Sequence, residues 1–417
     1  MGAVTLTPEG RTDLGTDLGT ALRDDAARML PELVELRRTL HRVPEVGLDL
    51  PVTQRTVLDA LAGLGLEVTT GPADSRTTGV VAVLRGGRPG PTVLLRGDMD
   101  ALPVVEQNDL PYASTNGAMH ACGHDLHVTG LVGAARLLAA RREELAGDVT
   151  FMFQPGEEGM GGAKIMIDEG VLGASGSDPA AAYGIHVAPG IRGVLATRPG
   201  PLMASSNQLH VTMHGAGGHG SRPQVALDPV PAVAELVTAL HAMVTRRFDV
   251  FDPVVLSVTQ LSAGAAVNVI PPSASLGATV RALSRASIDT LRTETQRLAD
   301  GIAAAHGLRA EVDFSEQYPV TANDPAAAQT ALDVVRGLLG EQRGQLMPNP
   351  LMGSEDFSYV LDRVPGAFLF LGASPDGVDP ATAAWNHSPL VLFDDAVLGD
   401  QSAALAALAL HHLVPSS

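Results

Sequence analysis

Short apolar runs alternate with longer amphipathic stretches through the first half of the chain. The runs GVVAVLRG (79–86), TVLLRGD (92–98), VTFMFQ (149–154) and AAYGIHV (181–187) have the continuous hydrophobicity of buried strands. Residues 27–43 and 126–145, which lie between such runs, repeat their apolar positions at helical spacing. This alternation predicts an α/β layer around a largely parallel, buried sheet.

The second half of the chain follows a different order. Its pattern predicts strand, helix, strand, strand, helix, strand, which is the order of a ferredoxin-like α+β unit. We therefore expect an inserted domain at 198–313 that divides the α/β domain into 1–197 and 314–417. The predicted elements of the insert are strand 207–215, helix 226–247, strands 254–263 and 273–284, helix 286–307 and strand 308–316, and the α/β domain then resumes with helix 325–339, strand 367–372 and a closing helix near 394–413.

Composition narrows the function classes. A net charge of −18 without a basic block argues against nucleic-acid binding, so a small molecule is the expected partner. With 45% hydrophobic residues but no apolar run long enough to span a bilayer, we expect no membrane role. The single cysteine permits no internal disulfide and favours the cytoplasm. The first twenty residues, which lack a signal-peptide or lipidation pattern, are predicted to be a polar arm.

Candidate chemistry starts at MHACGHDLH (119–127). Cys122 and His124 are two residues apart in a glycine-containing turn before a helix, and thiolate and imidazole are good ligands for zinc and other borderline metals. A lone cysteine can equally be a small buried hydrophobe. The loop QPGEEG places Glu157 and Glu158 after a predicted strand, while His186 follows another strand and His387 lies in a loop. Each is commonplace alone, but Cys122, His124, Glu158, His186 and His387 together give two metals enough ligands with open positions for water.

Other chemistries are open at this point. Cys122 could be a thiol nucleophile with His124 or His127 as its base, although Glu157, Glu158, His186 and His387 would then have no role. A second alternative is a non-catalytic binding protein that keeps this fold with an inactive site, and the presence of Glu157 argues against it. The glycines of GAGGHGS (215–221) resemble a phosphate-binding loop, but the lysine such a loop needs is absent.

Eight motifs occur in the order expected of a known metallopeptidase family. From about residue 28 onwards, the chain resembles the family that contains aminoacylases, hippurate hydrolases and plant auxin-conjugate amidohydrolases. The motifs are RGDMDALP (96–103), MHACGHDLH (119–127), FQPGEEGMGGA (153–163), HVAP (186–189), GGHGSRP (217–223), NVIPP (268–272), MGSEDFS (352–358) and NHSP (386–389). The resemblance implies a zinc-peptidase-like mixed sheet flanked by helices, with a ferredoxin-like lid and dimerisation domain inserted.

The resemblance also implies the chemistry. It makes the protein a metal-dependent amidohydrolase that cleaves N-acyl amino acids, with carboxypeptidase or dipeptidase activity as the alternative. Glu157 would be the general base beside two divalent ions per subunit, Mn²⁺ or Zn²⁺ foremost and Co²⁺ or Ni²⁺ as further options. The ions would be held by Cys122, His124, Glu158, His186 and His387.

Further roles carried over by the resemblance concern the surroundings of the metals. His219 would stabilise the oxyanion, across a homodimer formed by the lid, and Asn268 and Arg281 would hold the substrate. Asp98 replaces a histidine ligand of more distant relatives, so that Asp98 and Asp100 become supporting groups behind the ligands. One departure puts substrate preference in doubt, because Arg222 and Gln224 stand in the lid motif where many relatives carry a histidine after the proline.

Overall fold

The computed structural model describes residues 16–414, with the side chain of Thr16 left out. Its α-helices are α1 Thr16–Arg42, α2 Pro51–Leu61, α3 His124–Ala139, α4 Gly162–Asp168, α5 Pro229–Arg247, α6 Arg285–Ala305, α7 Pro325–Leu339, α8 Ser358–Leu361 and α9 Val397–Leu413. Its strands are β1 Glu67–Thr69, β2 Val80–Leu84, β3 Arg88–Asp98, β4 Ala146–Gln154, β5 Ala181–Ala188, β6 Leu195–Thr197, β7 Gly200–Met203, β8 Ser206–His214, β9 Gly218–His219, β10 Val254–Ala263, β11 Val269–Ile270, β12 Ser273–Ala282, β13 Arg309–Tyr318, β14 Thr321–Asn323, β15 Gly344–Leu346 and β16 Gly366–Gly372.

The described chain forms two compact units. The first contains the residues up to 200, together with Asn323–Pro348 and the residues from 359 onwards. Its sheet has the strand order β1-β2-β4-β3-β5-β16-β6-β15. The central strands β4, β3, β5 and β16 are parallel to one another, whereas β1, β2 and β6 add antiparallel pairs. Parallel strands bring their carboxyl ends to one edge of the sheet, which is where α/β proteins build their sites.

Helices α1, α3, α7 and α9 pack together in the first unit. The contact between α3 and α9 depends on glycine, since a Cβ added at Gly133 would lie 2.1 Å from Oγ of Ser402. Residues 401–410 of α9 are all buried, and most of them are alanine or leucine. The packing fixes α3, whose first residue is His124, against the rest of the unit.

The second unit consists of Pro201–Ala322 and Asn349–Ser358. Its sheet has the strand order β10-β12-β8-β13, with every neighbouring pair antiparallel. Alternating residues of β8, namely Leu209, Val211 and Met213, are fully buried in a core that also contains residues of α5 and α6. The element order β8-α5-β10-β12-α6-β13 is that of a ferredoxin-like unit.

Several boundaries differ from the sequence predictions. The second unit begins at Pro201 and extends to Ala322 because β13 continues to Tyr318, and it also takes in 349–358. The predicted polar arm is partly wrong: residues 16–20 belong to α1, whose buried Leu22 and Ala26 continue the apolar face of the helix. Residues 1–15 of that arm lie outside the described residues. None of the helices within 16–414 has the length and apolarity that a membrane crossing requires.

Candidate metal centre

The candidate ligands of the first unit come from four segments that meet at the carboxyl edge of its sheet. Glu157 and Glu158 follow β4, His186 lies near the end of β5, His387 lies between β16 and α9, and Cys122 and His124 flank the start of α3. Gly123 links the last two in a left-handed conformation with φ of 82°, which glycine adopts without strain. The turn thereby lets the Cys122 thiol and the His124 imidazole face the same small region.

The predicted ligand atoms do lie together. Single ligand atoms of Cys122, His124 and His186 are all within 4.8 Å of one another, and so are those of Cys122, Glu158 and His387. Sγ of Cys122 is 3.4 Å from Nε2 of His186. A third group joins His124, Glu157 and Glu158 within the same limit. All five predicted ligands and the predicted base therefore border one small region.

His124 provides the clearest sign that this region accommodates a cation. Its side chain is 1% exposed, yet neither ring nitrogen has a hydrogen-bond partner among residues 16–414. The nearest carboxylate oxygens, on Asp98 and Asp100, are each 3.5 Å away. A buried imidazole without partners is costly. A metal ion bound by a ring nitrogen removes that cost, and thiolate, imidazole and carboxylate are the donors that zinc and its neighbours prefer.

His387 is held by an unusual turn. It is the one non-glycine residue with positive φ, 73°, in the described part of the chain. The amide of Ser388 donates to the carbonyl of Trp385 at 3.0 Å, so His387 occupies the third position of a turn that usually requires glycine there. Nδ2 of Asn386 lies within donating distance of the carbonyls of Cys122 and Val187, at 3.2 and 3.1 Å. Backbone strain of this kind is typical of functional sites.

The pKa values of the ligands reflect their crowding. Burial disfavours the charged imidazolium of His124, but Asp98, Asp100 and Cys122 together outweigh burial and raise the pKa of His124 well above its usual value. Hydrogen bonds to Cys122 and Glu158 raise the pKa of His387 to about 10. By contrast, burial and the neighbouring His127 lower the pKa of His186. Metal binding at this cluster would displace protons from His124 and His387, because a ligating imidazole must be neutral.

The two aspartates contact residues of the cluster, and their role as supporting groups stays a prediction. Both carboxylate oxygens of Asp100 accept backbone N–H groups, those of Glu157 and Glu158, at 3.0 Å each. Asp100 thereby fixes the loop that carries the base and a ligand. Asp98 is fully buried and pairs with Arg96 at 2.7 Å. Burial alone would raise the pKa of Asp98, but Arg96 and the nearby histidines lower it well below its usual value.

The other three predicted residues belong to the second unit. His219 in β9 pairs with Val269 in β11, and the carbonyl of Asn268 accepts the amide of Gly220 at 2.8 Å. The amide of Ser221 donates to Nδ1 of His219 at 3.1 Å, which places the proton of a neutral ring on Nε2. Arg281 in β12 is half-buried, and its guanidinium donates to Oγ of Ser354 at 3.0 Å. Burial lowers the pKa of Arg281. Their roles remain predictions.

Sequence reasoning missed two residues that shape the centre. In the sequence, Asn386 stands out only as part of the NHSP motif, although its amide ties the His387 turn to Cys122 and β5. The sequence suggests His127 only as a possible base for a thiol, whereas its ring lies between Asp98 and Val187. The spacing of His124 and His127, three residues apart on one helix face, was the signal that could have drawn attention to the second histidine.

Comparison with known proteins places the chain in a family. Residues 94–411 match Peptidase family M20/M25/M40. The chain is 36% identical over 399 residues to thermostable carboxypeptidase 2 of Saccharolobus solfataricus, covering 94% of this chain and 98% of the relative. It is 35% identical over 394 residues to hippurate hydrolase of Campylobacter jejuni, covering 92% and 99%. It is 34% identical over 367 residues to N-acetylcysteine deacetylase of Bacillus subtilis, covering 88% and 93%. The chain therefore belongs to Peptidase family M20/M25/M40.

Solved structures agree with this assignment. A structure from methicillin-resistant Staphylococcus aureus aligns with a TM-score of 0.88 at 30% identity, covering 95% of this chain and all of that one. A Bacillus subtilis dinuclear metal binding peptidase of the M20 family aligns with a TM-score of 0.77 at 30% identity, covering 94% and 98%. The predicted family resemblance, fold class and class of enzyme, an amidohydrolase of metallopeptidase type, are confirmed. The protein is thus expected to use divalent metal, and the cluster described above is the candidate site for it.

Proposed function

We propose that the protein hydrolyses the amide bond of N-acyl amino acids with the help of two divalent ions per subunit, Mn²⁺ or Zn²⁺ before Co²⁺ or Ni²⁺. The observation that carries the proposal is the convergence of five ligand side chains on one region that also contains Glu157. Two overlapping ligand groups that share Cys122 are what a dinuclear centre needs, and the Bacillus subtilis relative is a dinuclear metal binding peptidase. The ligands are Cys122, His124, Glu158, His186 and His387.

The metals supply Lewis acidity for the carbonyl group and lower the pKa of water. Side chains of the protein transfer the proton, stabilise the oxyanion and bind the substrate. Glu157 accepts a proton from the attacking water and returns it to the leaving amine, and its backbone is kept in place by Asp100. His219 donates from Nε2 to the oxyanion, in agreement with the tautomer that its bond to Ser221 requires. Arg281 and Asn268 hold the substrate, with the fork of Arg281 suited to a carboxylate.

The substrate class follows from what the relatives share. Hippurate hydrolase, N-acetylcysteine deacetylase and carboxypeptidases all act on an amide bond whose nitrogen belongs to an amino acid with a free carboxylate. The carboxypeptidase match is as high as the others, at 36% identity, and it supports a second candidate function on short peptides. Both functions use the same chemistry and differ in the acyl group alone.

The decisive experiment compares matched substrates on metal-depleted and reloaded protein. N-acetyl, N-benzoyl and N-aminoacyl derivatives of the same amino acids would be assayed after chelation and after addition of Mn²⁺, Zn²⁺, Co²⁺ or Ni²⁺. We expect no turnover without metal, recovery on reloading, and preference for the N-acetyl or N-benzoyl compounds. Preference for the dipeptides would favour the second candidate function. Turnover that survives complete removal of metal would contradict the proposal, as would equal turnover of substrates whose carboxylate is amidated.

A further inference from the structure

His127, the last residue of the MHACGHDLH motif, lies in the first turn of α3, and its buried imidazole has both ring nitrogens hydrogen-bonded. The amide of Val187 donates to Nε2 at 2.8 Å, and Nδ1 lies 2.5 Å from Oδ1 of Asp98. An amide N–H can only donate, so Nε2 carries no proton and Nδ1–H donates to the carboxylate. The hydrogen bonds therefore fix a neutral ring in a single tautomer. Since both nitrogens are engaged, His127 itself is not a metal ligand.

The two partners of His127 belong to different strands. Asp98 ends β3, and Val187 lies in β5 directly after the candidate ligand His186. The ladder between β3 and β5 runs from Val93 opposite Ala181 to Arg96 opposite Gly184. Asp98 and Val187 lie beyond that stretch, towards the metal centre. The imidazole of His127 thus connects the ends of β3 and β5 beyond the residues at which the two strands pair.

His127 also touches the ligands that those strand ends position. Its ring centroid is 4.6 Å from that of His186 and 5.2 Å from that of His124. The second oxygen of its partner Asp98 is 3.5 Å from Nε2 of His124. Helix α3 is also held firmly at this level, because a Cβ at Gly97 in β3 would come within 2.8 Å of the carbonyl of His127. A displacement of the His127 ring would therefore shift both candidate ligands, His124 and His186.

We infer that His127 is a positioning residue, which sets the separation of the β3 and β5 ends so that His124 and His186 hold metal in the right geometry. The inference rests on the proposed metal-dependent function. His127 acts through these neighbours and contacts neither the substrate nor the metal. Groups that orient ligands from behind in this way change metal affinity by about 10–100-fold when they are lost.

Substitutions can separate the two hydrogen bonds. His127→Asn places an amide nitrogen near the position of Nδ1 and can still donate to Asp98, but it leaves Val187 without an acceptor. His127→Gln extends an amide oxygen towards the position of Nε2 and can still accept from Val187. His127→Leu removes both bonds at similar volume. We expect the affinity for Mn²⁺, measured by titration of metal-free protein, to fall about 10–100-fold in His127→Leu and by less in the other two variants.

A matched control is a histidine that contacts the same strand, β5, from another helix. Nε2 of His412 in α9 lies 2.8 Å from the hydroxyl of Tyr183 in β5, away from the ligand end of the strand. His412→Asn should weaken the fold without altering the affinity for Mn²⁺. The rate of alkylation of Cys122 at a fixed Mn²⁺ concentration gives a second readout, and it should rise in the His127 variants only. Saturating Mn²⁺ should recover most of kcat in His127→Asn and His127→Gln, with KM little changed.

Two outcomes would overturn the inference. One is wild-type Mn²⁺ affinity in folded His127→Asn and His127→Gln, which remain informative where His127→Leu does not fold. The other is an equal loss of Mn²⁺ affinity in His412→Asn, which would make the effect a general loss of stability. Both outcomes are judged from the Mn²⁺ affinity alone, and neither depends on the activity of the protein. A wild-type protein that binds Mn²⁺ but cleaves no N-acyl amino acid would refute the proposed substrate while leaving this test intact.

Discussion

Glu157 and Glu158 are neighbours in one loop, yet we assign them different work. Glu158 lies 3.1 Å from His387 and shares a ligand group with Cys122, whereas Glu157 is 6% exposed and shares a ligand group with His124. Glu157→Gln should keep the metals and lose turnover by about 10²–10⁴-fold, since that is what a general base contributes. Metal content by elemental analysis and kcat on the same sample check this.

Glu158→Gln is the matched variant for that experiment. Loss of a ligand should lower the metal content as well as the activity, so the two substitutions are expected to differ in metal content and not merely in rate. A metal-replete Glu157→Gln protein with nearly normal kcat would exclude Glu157 as the base.

Cys122 is the only cysteine, so a thiol reagent reports on this one residue. Its side chain is 7% exposed and lies beside His186. A metal-bound thiolate is shielded from alkylation. We expect the metal-loaded protein to resist iodoacetamide and the chelator-treated protein to react, with mass spectrometry counting one label per chain. Denatured protein provides the value for full labelling, and equal rates for the loaded and stripped forms would remove Cys122 from the ligand set.

At the scale of elements, the packing of α3 on α9 makes a clear prediction. Gly133→Ala would force a methyl group to within 2.1 Å of Oγ of Ser402, whose hydroxyl already donates to the carbonyl of Leu398. Overpacking of this kind costs about 1–3 kcal/mol. The free energy of unfolding from urea titrations should fall by that amount.

Gly337 in α7 is the control, because an added Cβ there would meet nothing within 4 Å among the described residues. Gly337→Ala should raise the free energy of unfolding by about 0.5–1 kcal/mol, the difference in helix propensity between the two residues. If both substitutions shift the unfolding midpoint in the same direction, close approach is not what selects glycine at 133.

The long periodic elements could be predicted from sequence, and the short ones could not. Strand β10 and helix α7 have the predicted bounds, because their apolar patterns are regular and their ends carry turn residues or a proline. Strands β1 and β6 have three residues each and were not predicted. A strand of that length is defined by its partners in the sheet, which no local pattern records.

The metal centre likewise has features that the sequence predicts and features that it does not. The residue types and their order along the chain indicated which side chains converge. The link from His127 to Val187 could not be predicted, because it joins a helix to a strand 60 residues away through one ring nitrogen. The left-handed backbone of His387 could not be predicted either, since only a few per cent of non-glycine residues adopt positive φ, even though histidine does so more often than most.

At the scale of the whole molecule, the remaining prediction concerns assembly. We expect the second unit to act as a lid and to form a homodimer in which His219 completes the site of the neighbouring subunit. Strand β10 is an edge of its sheet, and its second half is exposed, including Leu261 at 62%. An exposed edge with apolar side chains is a natural surface for pairing across a two-fold axis, which would satisfy its open backbone groups. The family resemblance predicts that the same unit forms the dimer interface.

Subunit exchange tests the role of His219 directly. His219→Ala and Glu157→Gln homodimers should each be inactive, for different reasons: one lacks the oxyanion donor and the other the base. In a mixed dimer, one site would receive His219 from the Glu157→Gln chain and Glu157 from the His219→Ala chain. That site would be intact, so mixing under exchange conditions should restore up to about half of the activity per heterodimer. Native mass spectrometry measures the fraction of heterodimer. His210→Ala, which alters another histidine of the second unit, serves as the control that should keep full activity. Heterodimers that stay inactive would place His219 in the site of its own subunit or outside the reaction, and a protein that remains monomeric at assay concentration would refute the shared site altogether.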